Sequence, residues 1–207
     1  MPPACAGCGR AGSLLCPTCR TRLVAPFNPV DRFFAPDAGI VVGDALTVAT
    51  AAFAYEGPMR RALAALKYTG AARLAPILAK EAAPRLMALL PMIGRATLVA
   101  VPLHRERQRS RGYNQAQLLA QSLAKTVSLP MRPALERTRP TTKQHRLNRS
   151  ARLHNLRGAF EAVGSIPTVV ILVDDIITTT ATLEACASVL REAGAHEVYG
   201  FAVAREV

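Results

Sequence analysis

Apolar residues along the chain fall into short continuous runs that alternate with helical repeats. The runs are TVATAAFAY (47–55), ATLVAVPL (96–103) and TVVILV (168–173), all rich in small and β-branched residues. Continuous runs of this length are typical of strands buried on both faces of a parallel sheet. The segment HEVYGFAVAR (196–205) alternates between apolar and polar positions and predicts a final strand.

Helical repeats lie between these runs, and prolines, glycines and capping residues set their bounds. The predicted helices are MRRALAALKY after Gly57-Pro58, residues 71–90 with interruptions or kinks at Pro76 and Pro84, QAQLLAQSLAK after an N-cap at Asn114, and a last helix from about Thr180 to Ala193 before Gly194. The alternation of strands and helices predicts an α/β domain with a mostly parallel sheet over residues 47–207.

Two shorter segments precede this domain. Residues 1–24 hold four of the five cysteines and few large apolar residues, so we expect them to form a module that needs a staple. Residues 25–46 are rich in proline and glycine and predict a connector.

The four early cysteines form two CxxC pairs, Cys5 with Cys8 and Cys16 with Cys19. Two such turns can bring four thiolates onto one tetrahedral ion, which predicts a structural zinc ribbon. Catalytic zinc is disfavoured because four thiolates leave no open position, and a dithiol redox pair is the weaker alternative. Cys186 falls among small apolar residues of the last helix and predicts a core position.

Positive charge is concentrated in one part of the chain. Residues 101–157 carry 13 Lys and Arg against two acids, a net +11 of the +12 that the whole chain carries. This concentration predicts an anionic partner, either a phosphorylated metabolite or a nucleic acid or both.

The strand TVVILV is followed by Asp174-Asp175 and then by a run of threonines. Ligands of parallel sheets bind beyond the carboxyl ends of the strands, which places His104 and both acids at the relevant edge. The acids could hold a metal, act as an acid/base pair, or accept hydrogen bonds from a vicinal diol. The alternative without function is a capped helix with Thr179 or Thr180 as N-cap and Glu184 nearby.

VILVDDIITTTATL resembles the phosphoribosyl pyrophosphate (PRPP) motif of type I phosphoribosyltransferases. The resemblance implies a sheet with helices on both faces. It also implies that Asp174 and Asp175 hold the ribose hydroxyls, and that a loop holds the 5′-phosphate through Thr178, Thr179, Thr180, Ala181 and Thr182. Thr180 departs from the family, which usually has glycine there for a tight turn and close backbone approach to phosphate.

The double CxxC, FAYEGPMRRALAALKYTG, VPLHRERQRSRGYNQAQLLA and TRPTTKQHRLNRSARLHNLRGAF are similar to the ComF family of competence-associated, phosphoribosyltransferase-like proteins. That resemblance implies PRPP bound with magnesium, and a pyrophosphate loop containing His104, Arg105 and Arg109. Because the family is associated with DNA uptake, it also implies single-stranded DNA as a partner, with candidate contacts at Arg111, Tyr113, Arg146, Arg149 and Arg152.

The reaction itself stays open at this point, because no residue is identified as a catalytic base or an acceptor pocket. One alternative is an active phosphoribosyltransferase of nucleotide metabolism with an unknown acceptor and no link to DNA. The resemblance to the ComF family implies a DNA-uptake helicase or DNA-processing proteins as further possible partners. The sequence shows no membrane span and no signal-peptide pattern, so we expect a cytoplasmic protein.

Overall fold

The computed structural model describes residues 2–25, 44–68, 71–139, 156 and 158–206. Its strands are β1 (Val48–Ala54), β2 (Thr97–Ala100), β3 (Leu135–Arg137), β4 (Phe160–Ala162), β5 (Val169–Ile177) and β6 (Glu197–Arg205). Four of them form one sheet in the order β1-β6-β5-β2, and all its pairings are parallel. The predicted parallel α/β sheet is therefore confirmed.

Four of the described helices lie on the predicted segments, whereas the three shortest, of four to seven residues, were not predicted. The helices are α1 (Pro17–Arg20), α2 (Gly57–Tyr68), α3 (Ala75–Met87), α4 (Leu90–Ile93), α5 (Arg105–Arg111), α6 (Gln115–Val127) and α7 (Ala181–Glu192), with a 3-10 turn at Ala72–Leu74. Asn114 caps α6 as predicted, since its side chain accepts a hydrogen bond from the Ala116 amide. Pro76 lies in the first turn of α3, whereas Pro84 lies inside that helix, so α3 and α4 separate after Met87 and not at a proline.

Helices cover both faces of the sheet. Ile171 and Val173 of β5 belong to a core cluster with residues of α2, α3 and α6, whereas Val170 and Leu172 belong to a second cluster with residues of α7. Successive residues of a strand point to opposite faces, so a strand that is covered on both sides has to be apolar throughout. The continuous run in the sequence is thereby explained.

The last strand differs from the alternating pattern that the sequence indicates. Only Glu197 of β6 is exposed, and the strand is otherwise mostly buried. The reason is its place in the sheet, between β1 and β5. Gly200 lets α7 approach here, because a Cβ at this position would lie 2.9 Å from Leu183 Cδ1 and 3.1 Å from Ala49 Cβ.

A small antiparallel hairpin of β3 and β4 was not predicted from the arginine-rich segment 131–160. Leu135 pairs with Ala162 and Arg137 with Phe160. Just before β3, Met131 forms an isolated parallel bridge with Leu98 of β2. The hairpin thus extends from the β2 edge of the main sheet.

The cysteine segment packs against α2 and α3. Leu15 is fully buried in the same core cluster as these helices. Arg61 of α2 donates a hydrogen bond to the Gly7 carbonyl, and Arg20 lies 3.3 Å from Glu81 of α3. The segment therefore shares a core with the sheet domain, and its folding as a separate module stays a prediction. In the described part of the chain, no helix has the length and apolarity needed to cross a membrane.

Candidate functional site

Strand β5 extends further than its neighbour β2. The candidate site lies at the part of β5 that has no partner on β2. Their pairing ends at Ala100 and Val173, after which β5 continues to Ile177 beside β6. The expectation that the acids end the strand was therefore wrong, because β6 continues to pair with β5 past both acids. Asp174 and Asp175 do lie past the last residue that pairs with β2, in the crevice where parallel sheets bind ligands.

Asp175 is held by an internal cation. Its carboxylate is buried, with 3% of the residue exposed, and its Oδ2 lies 2.5 Å from Lys67 Nζ of α2. Gln115 of α6 donates a longer hydrogen bond of 3.5 Å to Oδ1. Burial alone would lower the pKa of Lys67, but the Asp175 carboxylate raises it above its usual range. Asp175 therefore carries a charge that the protein itself neutralises.

Lys67 is a site residue that the sequence analysis missed. It follows buried Met59 by eight positions and buried Leu63 by four, which places it on the apolar face of α2. A lysine on that face needs an anionic partner. This pattern was the available signal, although the partner lies 108 residues further along the chain.

Asp174 has a different environment from its neighbour. Its residue is partly exposed, and its Oδ1 accepts a hydrogen bond of 2.8 Å from the Asp175 amide. Burial of the carboxyl and the nearby Asp175 charge together raise the pKa of Asp174 well above its usual range, although Lys67 offsets part of this rise. A ligand that donates hydrogen bonds or brings a cation would stabilise the ionised form.

The threonine run forms a strained turn into α7. Thr180 occupies the N-cap position with φ +56° and ψ −10°, in the left-handed region that favours glycine. Its hydroxyl donates to the Thr179 carbonyl at 2.6 Å and does not cap the helix. The turn therefore keeps the backbone path of a glycine-containing loop, at a cost on the order of 1 kcal/mol.

The capped-helix alternative is thus only partly correct. Thr180 is the N-cap residue by position, but its side chain makes no capping hydrogen bond. Glu184 is buried for another reason, because its carboxylate accepts hydrogen bonds from the amides of Ala45 and Leu46 at 2.8 and 3.2 Å. It ties α7 to the segment before β1.

The expected pyrophosphate loop is largely helical. Helix α5 begins at Arg105 with His104 as its N-cap residue, so only His104 lies in the loop after β2. Arg105 and Arg109 lie one turn apart on one side of α5. Arg105 forms an exposed ion pair of 3.4 Å with Glu136. The Nδ1 atom of His104 is buried and has no hydrogen-bond partner among the described residues.

Tyr113, the predicted aromatic contact with nucleic acid, is partly buried, and Tyr68 is more exposed. The Tyr113 hydroxyl donates to the Leu66 carbonyl at 2.5 Å, and its ring packs against the core cluster. Burial raises the pKa of Tyr113. Tyr68, at the end of α2, is 68% exposed, and the Arg111 guanidinium lies 5.6 Å from its ring centre. Arg146, Arg149 and Arg152 lie outside the described residues.

The four early cysteines converge as predicted. All of their sulfur atoms lie within 4.8 Å of one another, with Cys8 exposed and the other three buried. Burial would raise the pKa of Cys5, but hydrogen bonds from backbone amides, that of Cys16 at 3.2 Å among them, lower it to about 6. Burial raises the pKa of Cys19 to about 12. A closed set of four sulfur donors fits structural zinc.

Gly7 and Cys186 are two further residues whose positions bear on the cysteines. A Cβ on Gly7 would lie 2.6 Å from Cys19 Sγ, so only glycine fits between the two CxxC turns, which the sequence analysis did not note. Cys186 lies on the buried face of α7 and is fully buried in the core, as predicted.

Comparisons with known proteins agree with these features. No family model matches the chain. Competence protein F of Haemophilus influenzae is 37% identical over 113 residues, 52% of this chain and 49% of that protein. The DNA utilization protein YhgH of Salmonella typhi is 30% identical over 158 residues, 73% of this chain and 69% of that protein. Competence protein ComFC of Bacillus subtilis is 29% identical over 143 residues, 69% of this chain and 57% of that protein.

Three solved structures match part of the chain with TM-scores of 0.40 or below. The allosteric regulatory enzyme of purine biosynthesis has a TM-score of 0.40 at 23% identity, covering 63% of this chain and 25% of that one. UMP synthase of Leishmania donovani has a TM-score of 0.35 at 17% identity, covering 69% and 23%. Hypoxanthine phosphoribosyltransferase of Trypanosoma cruzi has a TM-score of 0.37 at 17% identity, covering 62% and 66%.

Together the sheet and its acidic edge define an α/β protein with a candidate ligand site at the carboxyl ends of parallel strands. The chain belongs to the ComF family, which includes the competence protein F and YhgH relatives. It spans about half the length of the first of these relatives, 49% of competence protein F.

Proposed function

We propose that this chain binds PRPP with magnesium at the acidic edge of its sheet and single-stranded DNA on its basic surface. The observation that carries the proposal is the pair Asp174-Asp175 beside Lys67, continuing into a positive-φ turn at Thr180 and the start of α7. In that arrangement one carboxylate is neutralised internally and the other is left for a ligand.

The two acids have different roles in this proposal. Asp174 accepts hydrogen bonds from the ribose hydroxyls, which lowers the cost of its ionisation in a partly buried position. Asp175 is held by Lys67 and keeps α2, α6 and β5 in register around the crevice. Loss of either acid would weaken ribose binding, but only loss of Asp175 would also weaken the fold.

The 5′-phosphate lies against the start of α7. The first amides of a helix have no partner inside the helix, and the helix dipole favours an anion there. The hydroxyls of Thr178, Thr179 and Thr182 are the nearby side-chain donors in this proposal. Thr180 contributes its amide and the turn geometry.

The pyrophosphate lies toward His104 and α5. The buried, unpartnered Nδ1 of His104 among the described residues supports a ligand at this point, and Arg105 and Arg109 supply positive charge on one side of the helix. Bound magnesium would neutralise part of the pyrophosphate charge.

Single-stranded DNA binds along the basic window in this proposal. The window carries +11, more charge than one PRPP with magnesium needs, and phosphate contacts of this kind release counterions. Arg111 and the exposed Tyr68 offer a cationic and aromatic surface near the acidic edge. The YhgH relatives are DNA utilization proteins by name. In this proposal a cytoplasmic helicase or DNA-processing protein delivers or receives the strand.

Calorimetric titration of PRPP with magnesium tests the metabolite site. We expect Asp174→Asn to weaken binding by roughly tenfold or more, because it removes an acceptor for a charged hydrogen bond. Asp44→Asn is the matched control, since Asp44 is exposed and lies before β1. Equal affinity of wild type and Asp174→Asn, or no binding by either, would refute the metabolite site.

Binding of a fluorescent single strand at increasing salt tests the DNA site. We expect affinity to fall steeply with salt, and charge removal at Arg146, Arg149 and Arg152 by Arg→Gln to weaken binding and flatten the salt dependence. The matched control removes three exposed charges elsewhere, at Arg22, Arg73 and Arg95. The DNA proposal fails if both triple variants bind alike.

A further inference from the structure

A cavity lies next to the loop after β2, outside the acid pair. Its volume is about 530 Å³, and its lining comes from that loop, from α5 and α6, and from the segment leading into β3. Among the described residues that line it, neither the acid pair nor the threonine turn appears. It is therefore a separate space that meets the proposed pyrophosphate region at Arg105.

One wall of the cavity is a polar stripe of α6. Gln117, Gln121 and Lys125 follow one another at intervals of four residues, so they lie along one side of the helix. All three are exposed. Asn114, the N-cap residue of α6, also lines the cavity and is fixed by the hydrogen bond that its side chain donates to the Val101 carbonyl. Each glutamine amide can both donate and accept a hydrogen bond.

The opposite wall is cationic and the floor is apolar. Arg132 and Arg137 line it from the β3 side, while Arg105 enters from α5. The one acid in the lining is Glu136, which is already ion-paired with Arg105 at 3.4 Å. The apolar lining residues are Ala100, Pro102, Leu103, Ala124, Met131, Pro133 and Leu135.

From this lining we infer that the cavity binds a nucleotide, with its base between the glutamine stripe and the apolar floor and its phosphate on the arginine side. The glutamine amides suit the edge of a base, adenine above all, since Gln can pair with both its donor and its acceptor. The apolar floor suits the face of a base, and the arginines suit a phosphate. The volume lies within the range of about 300–1,000 Å³ that small-molecule sites occupy.

The nucleotide can be free or part of a DNA strand, because the recognised chemistry is the same in both. The choice of a nucleotide as ligand rests in part on the proposed binding of single-stranded DNA. The cavity would then hold one nucleotide of the strand next to the PRPP site, and it would give the DNA path a defined base contact that charge alone does not supply.

Calorimetry with AMP, ribose 5-phosphate and a short 5′-phosphorylated oligodeoxyadenylate tests this inference. We expect AMP or the oligonucleotide to bind more tightly than ribose 5-phosphate, because the base contributes contacts of its own. The double variant Gln117→Ala/Gln121→Ala should lose roughly tenfold in affinity for the bound probe, the size expected for lost base hydrogen bonds. Lys125→Glu should weaken binding as well.

Lys80→Glu is the matched control, since Lys80 is an exposed lysine of α3 that does not line the cavity. Binding of AMP alone would identify a free nucleotide, and binding of the oligonucleotide alone would identify a strand; either supports the site. Absence of both, ribose 5-phosphate binding as tightly as AMP in the Asp174→Asn variant, whose ribose site is impaired, or unchanged affinity in the glutamine double variant would overturn it.

The same variants separate this inference from the PRPP site. The glutamine double variant should keep the PRPP affinity of the wild type, and Asp174→Asn should keep its affinity for AMP. If PRPP fails to bind while AMP binds and responds to the glutamine substitutions, the PRPP proposal fails and the nucleotide site stands.

Discussion

The acidic edge and the cysteine cluster are both concentrations of ionisable side chains, yet they are neutralised in different ways. At the acidic edge the protein supplies its own cation, because Lys67 lies 2.5 Å from Asp175. At the cysteine cluster four sulfur atoms lie within 4.8 Å of one another, and the donor set matches a metal ion. We therefore expect the cysteine segment to depend on an external ion for folding and the acidic edge to fold without its ligand.

The largest effect is expected at the cysteine cluster. Cys16→Ser should lower zinc content and unfold the segment that packs on α2 and α3, since structural zinc contributes folding free energy directly. Metal analysis and thermal unfolding with and without chelator would measure this. Cys186→Ala should keep its zinc, because Cys186 lies on the buried face of α7 and outside the four-cysteine cluster; a chelator-insensitive wild type would contradict the account.

The next effect concerns the internal ion pair. Lys67→Met should destabilise the protein by roughly 3–5 kcal/mol, because it leaves the Asp175 carboxylate buried without its partner. The double variant Lys67→Met/Asp175→Leu should recover most of that loss, since an apolar pair of similar volume avoids the desolvation cost. Denaturant unfolding would check both, and equal stability of the single variant and the wild type would show that the pair is not buried in solution.

Substitution of Asp174 should raise the stability of the folded protein at neutral pH, whereas disruption of the Asp175 ion pair should lower it. Its pKa is raised in the folded state, so the folded protein holds this proton more tightly than the unfolded chain does. Wild-type stability is therefore lost as pH rises from the usual carboxyl range through the raised pKa. Asp174→Asn should be the more stable protein at neutral pH, by on the order of 1 kcal/mol for each unit of pKa shift.

Thermal unfolding over a pH series would measure this difference. The gap between Asp174→Asn and wild type should close as pH falls to about 2, below the unfolded-state carboxyl pKa of about 3.9, where Asp174 is neutral in both the folded and the unfolded state. A gap that stays constant with pH would show that ionisation of Asp174 is not its cause.

The smallest effect is expected at the turn. Thr180→Gly relieves the left-handed strain but adds freedom to the unfolded chain, so the net change in stability should be below about 1 kcal/mol. Ser128 also has φ +56°, and Ser128→Gly gives the same exchange far from the acidic edge. If PRPP affinity rises only in Thr180→Gly, the threonine side chain impedes phosphate binding; unchanged affinity in both would show that the turn already tolerates it.

Much of the fold follows from local sequence pattern. The buried strands β2 and β5, the Asn114 cap of α6 and the four-cysteine cluster all rest on residue types at fixed spacing. Local pattern failed where position in the sheet decides burial, as in β6, and where strands have only three residues, as in β3 and β4.

In the candidate site, too, the sequence predicts residues that are contiguous in the chain but not contacts between distant residues. The acid pair and the threonine turn could be found because they are contiguous in sequence, including the departure from glycine at Thr180. Lys67 could not be paired with Asp175, because the contact joins α2 to β5 across the sheet edge. The sequence also could not show that Tyr68 is strongly exposed while Tyr113 packs on the core. That difference depends on how α2 packs against the start of α6.

A thermal-shift measurement of Asp174→Asn and wild type, with and without PRPP and magnesium, tests the central claim most directly. At neutral pH the ligand-free variant should melt at the higher temperature, because it lacks a carboxylate that is costly to ionise. PRPP at one fixed concentration should raise the melting temperature of the wild type clearly more than that of the variant, since ligand stabilisation grows with affinity for the folded state. Equal ligand-induced shifts in the two proteins would contradict the assignment of Asp174 to the ribose.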